Sequence, residues 1–243
     1  MLKKDIAEKL KFMHLEGMLE SWDENMEIAK EGKQSFESWF ISMINNEYER
    51  KQGVSLERRI ARAKIKEILV MATFPFGQQP KLDKRKILAA YDSFDYIDKH
   101  RNMVWVGPTG SGKTGLATAF LIQALEKGYT GKFVDFNQLI RDLYKSTADH
   151  SEDKILKPLI ACDCLVIDEL GYINVEANQV GQFFEILHKR HKRSPTLITT
   201  NLGFEEWGKF LKNDHLTAAL IDRLTSNCEV FNLAGCKSIR PTK

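Results

Sequence analysis

Apolar residues recur at helical spacing at the start of this chain, then give way to short apolar runs that alternate with helical stretches. Ile6, Leu10, Met13, Leu19, Trp22 and Met26 repeat with acids and lysines between them, the pattern of an amphipathic helical segment. After Gly32 a second helix can begin at Ser35 as N-cap and carry Phe36, Trp39, Phe40, Met43 and Tyr48. Gln52-Gly53 ends that helix in this reading, and Ser55 caps a third that runs through Ile60 toward Leu69. The stripe of Trp, Phe and Met reads as the core of a helical bundle.

The pattern breaks at Phe74-Pro75-Phe76-Gly77-Gln78-Gln79-Pro80, where two prolines and a glycine stop a helix. Beyond it, strand-like runs at 103–106, 132–135, 165–167, 196–199 and 229–232 alternate with helical patterns. Such alternation predicts an α/β domain with a parallel sheet. The expected organisation is a small all-helical N-terminal domain over 1–72, a linker over 73–80, and a doubly wound, five-stranded parallel P-loop sheet with flanking helices over 81–243. Ligands should gather at the carboxyl ends of its strands.

Composition adds limits. With 43% hydrophobic residues in 243, a large core can form, and a net charge of +3 does not by itself argue for a nucleic-acid partner. No apolar stretch reaches the ~18–20 residues that span a membrane. The charged start of the chain lacks a signal core, so a cytoplasmic protein without a membrane partner is expected. Cys162, Cys164, Cys228 and Cys236 make no C-x-x-C pair and have no suitably spaced His, which predicts reduced thiols rather than a zinc site.

The chemistry begins at Gly107-Pro108-Thr109-Gly110-Ser111-Gly112-Lys113-Thr114-Gly115, which contains the complete phosphate-loop pattern G-x-x-x-x-G-K-[ST] between a predicted strand and a predicted helix. The glycines let backbone N–H groups curl around phosphate oxygens, and the following helix starts at the anion. Lys113 can reach the β- and γ-phosphates, and the Thr114 hydroxyl can join a magnesium shell. Downstream by 55 residues from Lys113, Leu165-Val166-Ile167 delivers Asp168 and Glu169 at a strand end. There Asp168 can hold magnesium, and Glu169 can polarise an attacking water. The strand Thr196-Leu197-Ile198-Thr199 runs into Thr200-Asn201, and an amide at that place can orient the water or touch the γ-phosphate; a turn-forming Asn before Leu202-Gly203 is the plainer alternative.

Charge is segregated along the chain. Arg50, Lys51, Arg58, Arg59, Arg62, Lys64 and Lys66 stand against Glu57 alone, whereas residues 1–49 carry 6 basic and 11 acidic side chains. On a continuous helix Arg58, Arg62 and Lys66 would form one basic stripe able to track DNA phosphates, with Arg59 beside it and Lys64 nearby. Pairing with the acids of the bundle is the competing reading. A second cluster, His188-Lys189-Arg190-His191-Lys192-Arg193, ends a predicted helix, where the dipole alone favours cations; contact with DNA is the competing reading. Neither cluster has the aromatic interleaving of a single-strand stacking platform, and base-specific readout is not indicated, so sequence-tolerant binding is expected.

Taken together, the phosphate loop, Leu165 through Tyr172, the Ile198-Thr199-Thr200-Asn201 strand end, Phe204-Glu205-Glu206-Trp207 and Ala219 through Leu224 resemble the IstB-type helper ATPases of insertion sequences, relatives of the DnaC helicase loaders in the AAA+ class. Ser35-Phe36-Glu37-Ser38-Trp39, with the basic helix after it, and Pro80 through Arg85 extend the resemblance over nearly the full length. The resemblance implies ATP and Mg²⁺ as cofactors, self-association into an AAA+ oligomer, assembly on double-stranded DNA, and activation of a cognate transposase. It implies that Arg223, beside Asp222, reaches a neighbouring subunit's nucleotide as a trans-acting finger. Arg240, in Gly235-Cys236-Lys237-Ser238-Ile239-Arg240, fits loosely a second arginine that senses nucleotide in cis; Cys236 and Lys237 depart from the acidic pair usual there. A DnaC-like loader of a replicative helicase is the alternative function.

Overall fold

The computed structural model describes residues 2–32, 34–171, 175 and 177–239. The chain divides into two compact units, 1–58 and 59–243.

The first unit is helical: α1 (Lys4–Phe12), α2 (Glu16–Glu20), α3 (Trp22–Glu31) and most of α4 (Phe36–Ala63). Left-handed residues at His14 and Gly32 separate them. Gly17 is required because a Cβ there would lie 2.8 Å from the Glu47 Cα, so α2 and α4 meet backbone to backbone. Glu47, buried at that crossing, accepts the Met18 N–H at 2.9 Å. Trp39 Nε1 donates to the Asn25 carbonyl at 2.8 Å. Arg50 bridges Glu16 (2.7 Å) and Glu20 (2.8 Å), and its hydrogen bond holds the Glu20 carboxyl below the usual range.

Two expectations are corrected here. The helix does not stop at Gln52-Gly53; α4 runs unbroken for 28 residues and ends only where Lys64 turns left-handed at φ 60°. An isolated glycine costs a helix only about 1 kcal/mol, which the residues on either side offset. Lys66 therefore lies beyond the helix and cannot extend a stripe from Arg62. Nor is the aromatic stripe all core: Met43 is buried, but Phe36 is 78%, Phe40 50% and Tyr48 61% exposed.

The second unit holds α5 (Lys84–Ser93), α6 (Asp95–Asp98), β1 (Asn102–Val106), α7 (Lys113–Glu126), β2 (Gly131–Asp135), α8 (Phe136–Asp149), α9 (Glu152–Ala161), β3 (Cys164–Leu170), α10 (Ala177–Arg190), β4 (Thr196–Thr200), α11 (Trp207–Leu211), α12 (Asp214–Thr225) and β5 (Cys228–Asn232). The strands form one parallel five-stranded sheet in the order β2-β3-β4-β1-β5. All five expected strands are present. Val104, Leu165, Ile167, Ile198, Leu116 and Phe120 are fully buried, since parallel strands covered by helices have no solvent face. Val106 and Thr200 end the adjacent strands β1 and β4, and Asp168 lies near the end of β3 on the other side of β4, all toward the carboxyl edge of the sheet.

The Pro- and Gly-containing stretch read as a break is packed. Short 3₁₀ turns at Met71–Thr73 and Phe76–Gln78 carry Phe74 and Gln79 into buried positions.

The basic cluster at 188–193 is split by burial. His188, Lys189, Lys192 and Arg193 are outward, whereas Arg190 is 1% exposed. Its guanidinium donates to the carbonyls of Leu159 (2.9 Å), Ile160 (3.2 Å), Cys162 (2.6 Å) and Pro195 (2.6 Å), and to Thr196 Oγ1 (3.0 Å). The cation thus closes the negative end of α9 and ties it to β4, and it is not a DNA contact. Burial also raises the thiol pKa of Cys162, next to Arg190. All four cysteines are unpaired, and among the described residues no His, Cys, Asp or Glu cluster could hold a metal by itself. Arg190→Met keeps the apolar stem and strands these acceptors at about 1–3 kcal/mol for each buried group left unpaired. Denaturant unfolding should show a loss of about 3 kcal/mol or more; a loss below about 0.5 kcal/mol, as at an ordinary surface site, would refute the role.

Candidate nucleotide site

The loop between β1 and α7 has the shape of an anion cradle, and its neighbours leave no room for side chains at its glycines. A Cβ on Gly107 would lie 2.7 Å from Leu233, and one on Gly112, at φ 97°, 2.7 Å from the Phe74 ring. Gly110 is left-handed and abuts Ser238. The segment after β5 is bonded to the loop, with Ile239 N–H donating to the Gly110 carbonyl at 2.9 Å and Leu233 N–H to Val106 at 2.6 Å. Gln79 joins these parts. Its side-chain amide bonds both backbone groups of Lys237 (2.5 and 3.1 Å) and reaches the Ser111 carbonyl at 3.4 Å. Sequence reasoning missed Gln79, because nothing in a Gln-Gln-Pro run marks one amide as buried.

Beside the loop lies a cavity of ≈ 280 Å³, lined by Thr109, Gly110, Gly112, Lys113, Thr114, Gly115, Glu169 and Thr199, with Glu67, Leu69, Phe74, Thr118 and Ile239 around them. Lys113 is buried at the start of α7, and its ammonium donates to the carbonyls of Gly107 (2.7 Å) and Pro108 (2.9 Å). Thr114 Oγ1 donates to Asp168 Oδ1 at 2.9 Å. Asp168 is 6% exposed and also accepts from Thr199 Oγ1 at the same oxygen. Thr199 in turn accepts the Glu169 N–H at 3.0 Å. One hydroxyl therefore fixes both acids, a role not assigned to Thr199 from sequence; its signal was a Thr near the end of the strand beside the acid pair.

Glu169 owes its direction to a backbone irregularity. The pairing of β3 with β4 shifts between Ile167 and Leu170, and Glu169 adopts φ 59°. A bulge of this kind re-aims a side chain out of the strand's alternation, and here it brings consecutive acids, Asp168 and Glu169, to one site. A left-handed non-glycine residue inside a strand is costly, unlike those that end helices elsewhere in this chain.

Lys113, Thr114, Asp168 and Glu169 are therefore brought together, and Pro108, Ser111 and Gly115 lie along the same loop and helix start. Asn201 is exposed just past β4 and does not line the cavity. Arg223, in the last turn of α12, does not line it either. Arg240 and Tyr172 lie outside the described residues. Of the basic run, Arg50 pairs with acids of the first unit, Arg59 donates to the Leu125 carbonyl at 2.7 Å, and Lys66 lies 3.8 Å from Asp135. Arg58, Arg62 and Lys64 are exposed.

The residues present fit ATP with magnesium. The glycine cradle is closed to any Cβ, and among the described residues the buried Ser111 hydroxyl has no hydrogen-bond partner. Thr114 and Asp168 supply adjacent oxygens. Magnesium shared with phosphates needs only one or two protein ligands and several waters, so a larger acid cluster is not required.

Burial raises the Asp168 pKa above the ordinary carboxylate value, outweighing the lowering by its bonds from Thr199 and Thr114. The folded state then holds a proton more tightly than the unfolded one. Ionised Asp168 opposes folding at pH above its folded pKa, and this penalty fades as pH falls toward the normal carboxylate range. In nucleotide-free protein with EDTA, Asp168→Asn, whose amide oxygen can still accept both hydroxyls, should raise Tm at pH 7 and raise it less as pH falls. A Tm unchanged or lowered at pH 7 would contradict this.

Comparison with known proteins follows the same lines. The family model described as IstB-like ATP binding protein matches residues 8–243. The ATP-binding protein of insertion sequence IS5376 from Geobacillus stearothermophilus is 30% identical, over 96% of this chain and 93% of that one. Its counterpart in insertion sequence IS21 from Pseudomonas aeruginosa is 26% identical, over 95% and 85%. Among solved structures, DnaI superposes with a TM-score of 0.58 at 19% identity over 68% of this chain and 90% of that one. The DnaC helicase loader gives 0.52 at 24% identity over 61% and 86%. These last likenesses are of fold. With sheet, phosphate loop and acid pair in place, the chain belongs to the IstB-like ATP-binding family and is a P-loop ATPase of the AAA+ class.

Proposed function

We propose that this protein binds ATP, assembles on duplex DNA, activates a partner transposase, and uses hydrolysis to reset the complex. The observation that carries the reading is a phosphate-loop cavity beside an acid pair with, among the described residues, no arginine lining it, in a chain whose full-length relatives are ATP-binding proteins of insertion sequences. Lys113 and the loop N–H groups would hold the β- and γ-phosphates, and Thr114 with Asp168 would hold magnesium, which spreads the charge developing on the transferred group. Glu169, aimed by the bulge, would take a proton from the attacking water, with Thr199 fixing its backbone. Arg223 of a second copy would complete the charge stabilisation, which makes turnover depend on assembly.

The DNA contacts in this reading are Arg58, Arg62 and Lys64, with Arg59 and Lys66 contributing where their present bonds are exchanged for phosphates. The fold likeness to DnaI and the DnaC helicase loader supports a second reading, a helicase loader with single-strand preference. Family membership over 8–243 favours the first.

Fluorescence anisotropy with matched duplex and single-stranded oligonucleotides, a non-hydrolysable ATP analogue and a salt titration separates them. Analogue-dependent preference for duplex is expected, and Arg58→Ala with Arg62→Ala should flatten the log–log salt slope by about two. Preference for single strands would support the loader, and no binding to either would leave a nucleotide-gated scaffold.

A further inference from the structure

Arg223 occupies a built seat. Its Cζ lies 4.9 Å from the centroid of the Phe184 ring. That ring is stacked on the His188 imidazole, with centroids 5.7 Å apart and planes at 5°. Arg223 Nε donates to His188 Nδ1 at 3.1 Å, and Nη1 donates to the Ala219 carbonyl at 2.9 Å. The backbone is pinned as well: His191 Nδ1 lies 3.0 Å from the Arg223 carbonyl oxygen, which also accepts from Ser226 Oγ at 3.0 Å. The nearby ammonium of Lys189 is engaged by Glu185 at 2.6 Å.

The protonation pattern follows from who can donate. A guanidinium has no acceptor, so His188 Nδ1 must present a lone pair and the ring must be neutral. A carbonyl only accepts, so His191 carries its proton on Nδ1. None of these bonds uses Nη2. An arginine on a helix surface ordinarily samples many rotamers, and ordering it at assembly costs entropy. Here the ring face, the imidazole nitrogen and the Ala219 carbonyl set its direction beforehand, which is the kind of preorganisation that stabilises developing charge without later rearrangement.

We propose that Phe184 and His188 are positioning residues for Arg223, fixing its guanidinium so that Nη2 can bond a phosphate oxygen held by a second copy of this chain. This rests on the reading of Arg223 as a finger supplied in trans.

The test compares ATP turnover, titrated in protein with and without duplex DNA, and affinity for a fluorescent ATP analogue, across variants of the full chain. His188→Lys sets a cation against the guanidinium at a helix C-terminus that tolerates one, so folding should survive. His188→Asn offers an amide oxygen near the place of Nδ1. Expected are a kcat lower by about tenfold or more for His188→Lys, within about threefold of wild type for His188→Asn, and analogue affinity within about twofold for both. Phe184→Leu should fall between them. Wild-type kcat in His188→Lys, or equal impairment in His188→Asn, would overturn the proposal, as would a parallel loss of analogue affinity. Full turnover in Arg223→Ala would instead overturn the finger reading beneath it.

Discussion

A loop that offers its backbone N–H groups to a triphosphate has to hold an open, partly left-handed course. Residues 107–112 meet this constraint by having no Cβ at the tight points and by being wedged from outside. Phe74 comes from before the sheet, and Leu233, Ser238 and Ile239 from after its last strand. Gln79 bonds the two flanking segments together. Both segments therefore contact the loop directly.

The acids show the same economy. Two adjacent residues of a regular strand point to opposite faces, so the bulge between Ile167 and Leu170 is what brings Asp168 and Glu169 to one site. Thr199 then holds the carboxylate of one and the N–H of the other. The arginine is managed differently. It sits apart from the cavity on Phe184 and His188, and on the proposed reading the chemistry is divided between subunits, with water activation on one side of an interface and charge stabilisation on the other.

Much of this was legible in the sequence. The five strands, the phosphate loop and the acid pair are written in local patterns, an apolar run ending in glycines or carboxylates, and the structure places them together. What was not legible depends on distant neighbours. Gly53 reads as a stop, yet nothing near it forces one, and α4 continues. Arg190 reads as part of a basic surface run, yet its partners are carbonyls about thirty residues earlier in the chain and at Pro195, just before the next strand. Phe36, Phe40 and Tyr48 have core-like spacing but face outward in this chain, since periodicity fixes a face and not what covers it. Gln79 and His188 carry no motif at all.

The central claim is that the catalytic site is completed by a second copy. Subunit mixing tests it most directly: Lys113→Ala removes nucleotide binding and keeps Arg223, while Arg223→Ala keeps nucleotide binding and lacks the finger. Each variant alone should be inactive, and the mixture should recover ATP turnover, because some interfaces then join an intact nucleotide site to an intact arginine. A mixture as inactive as its components would contradict the claim.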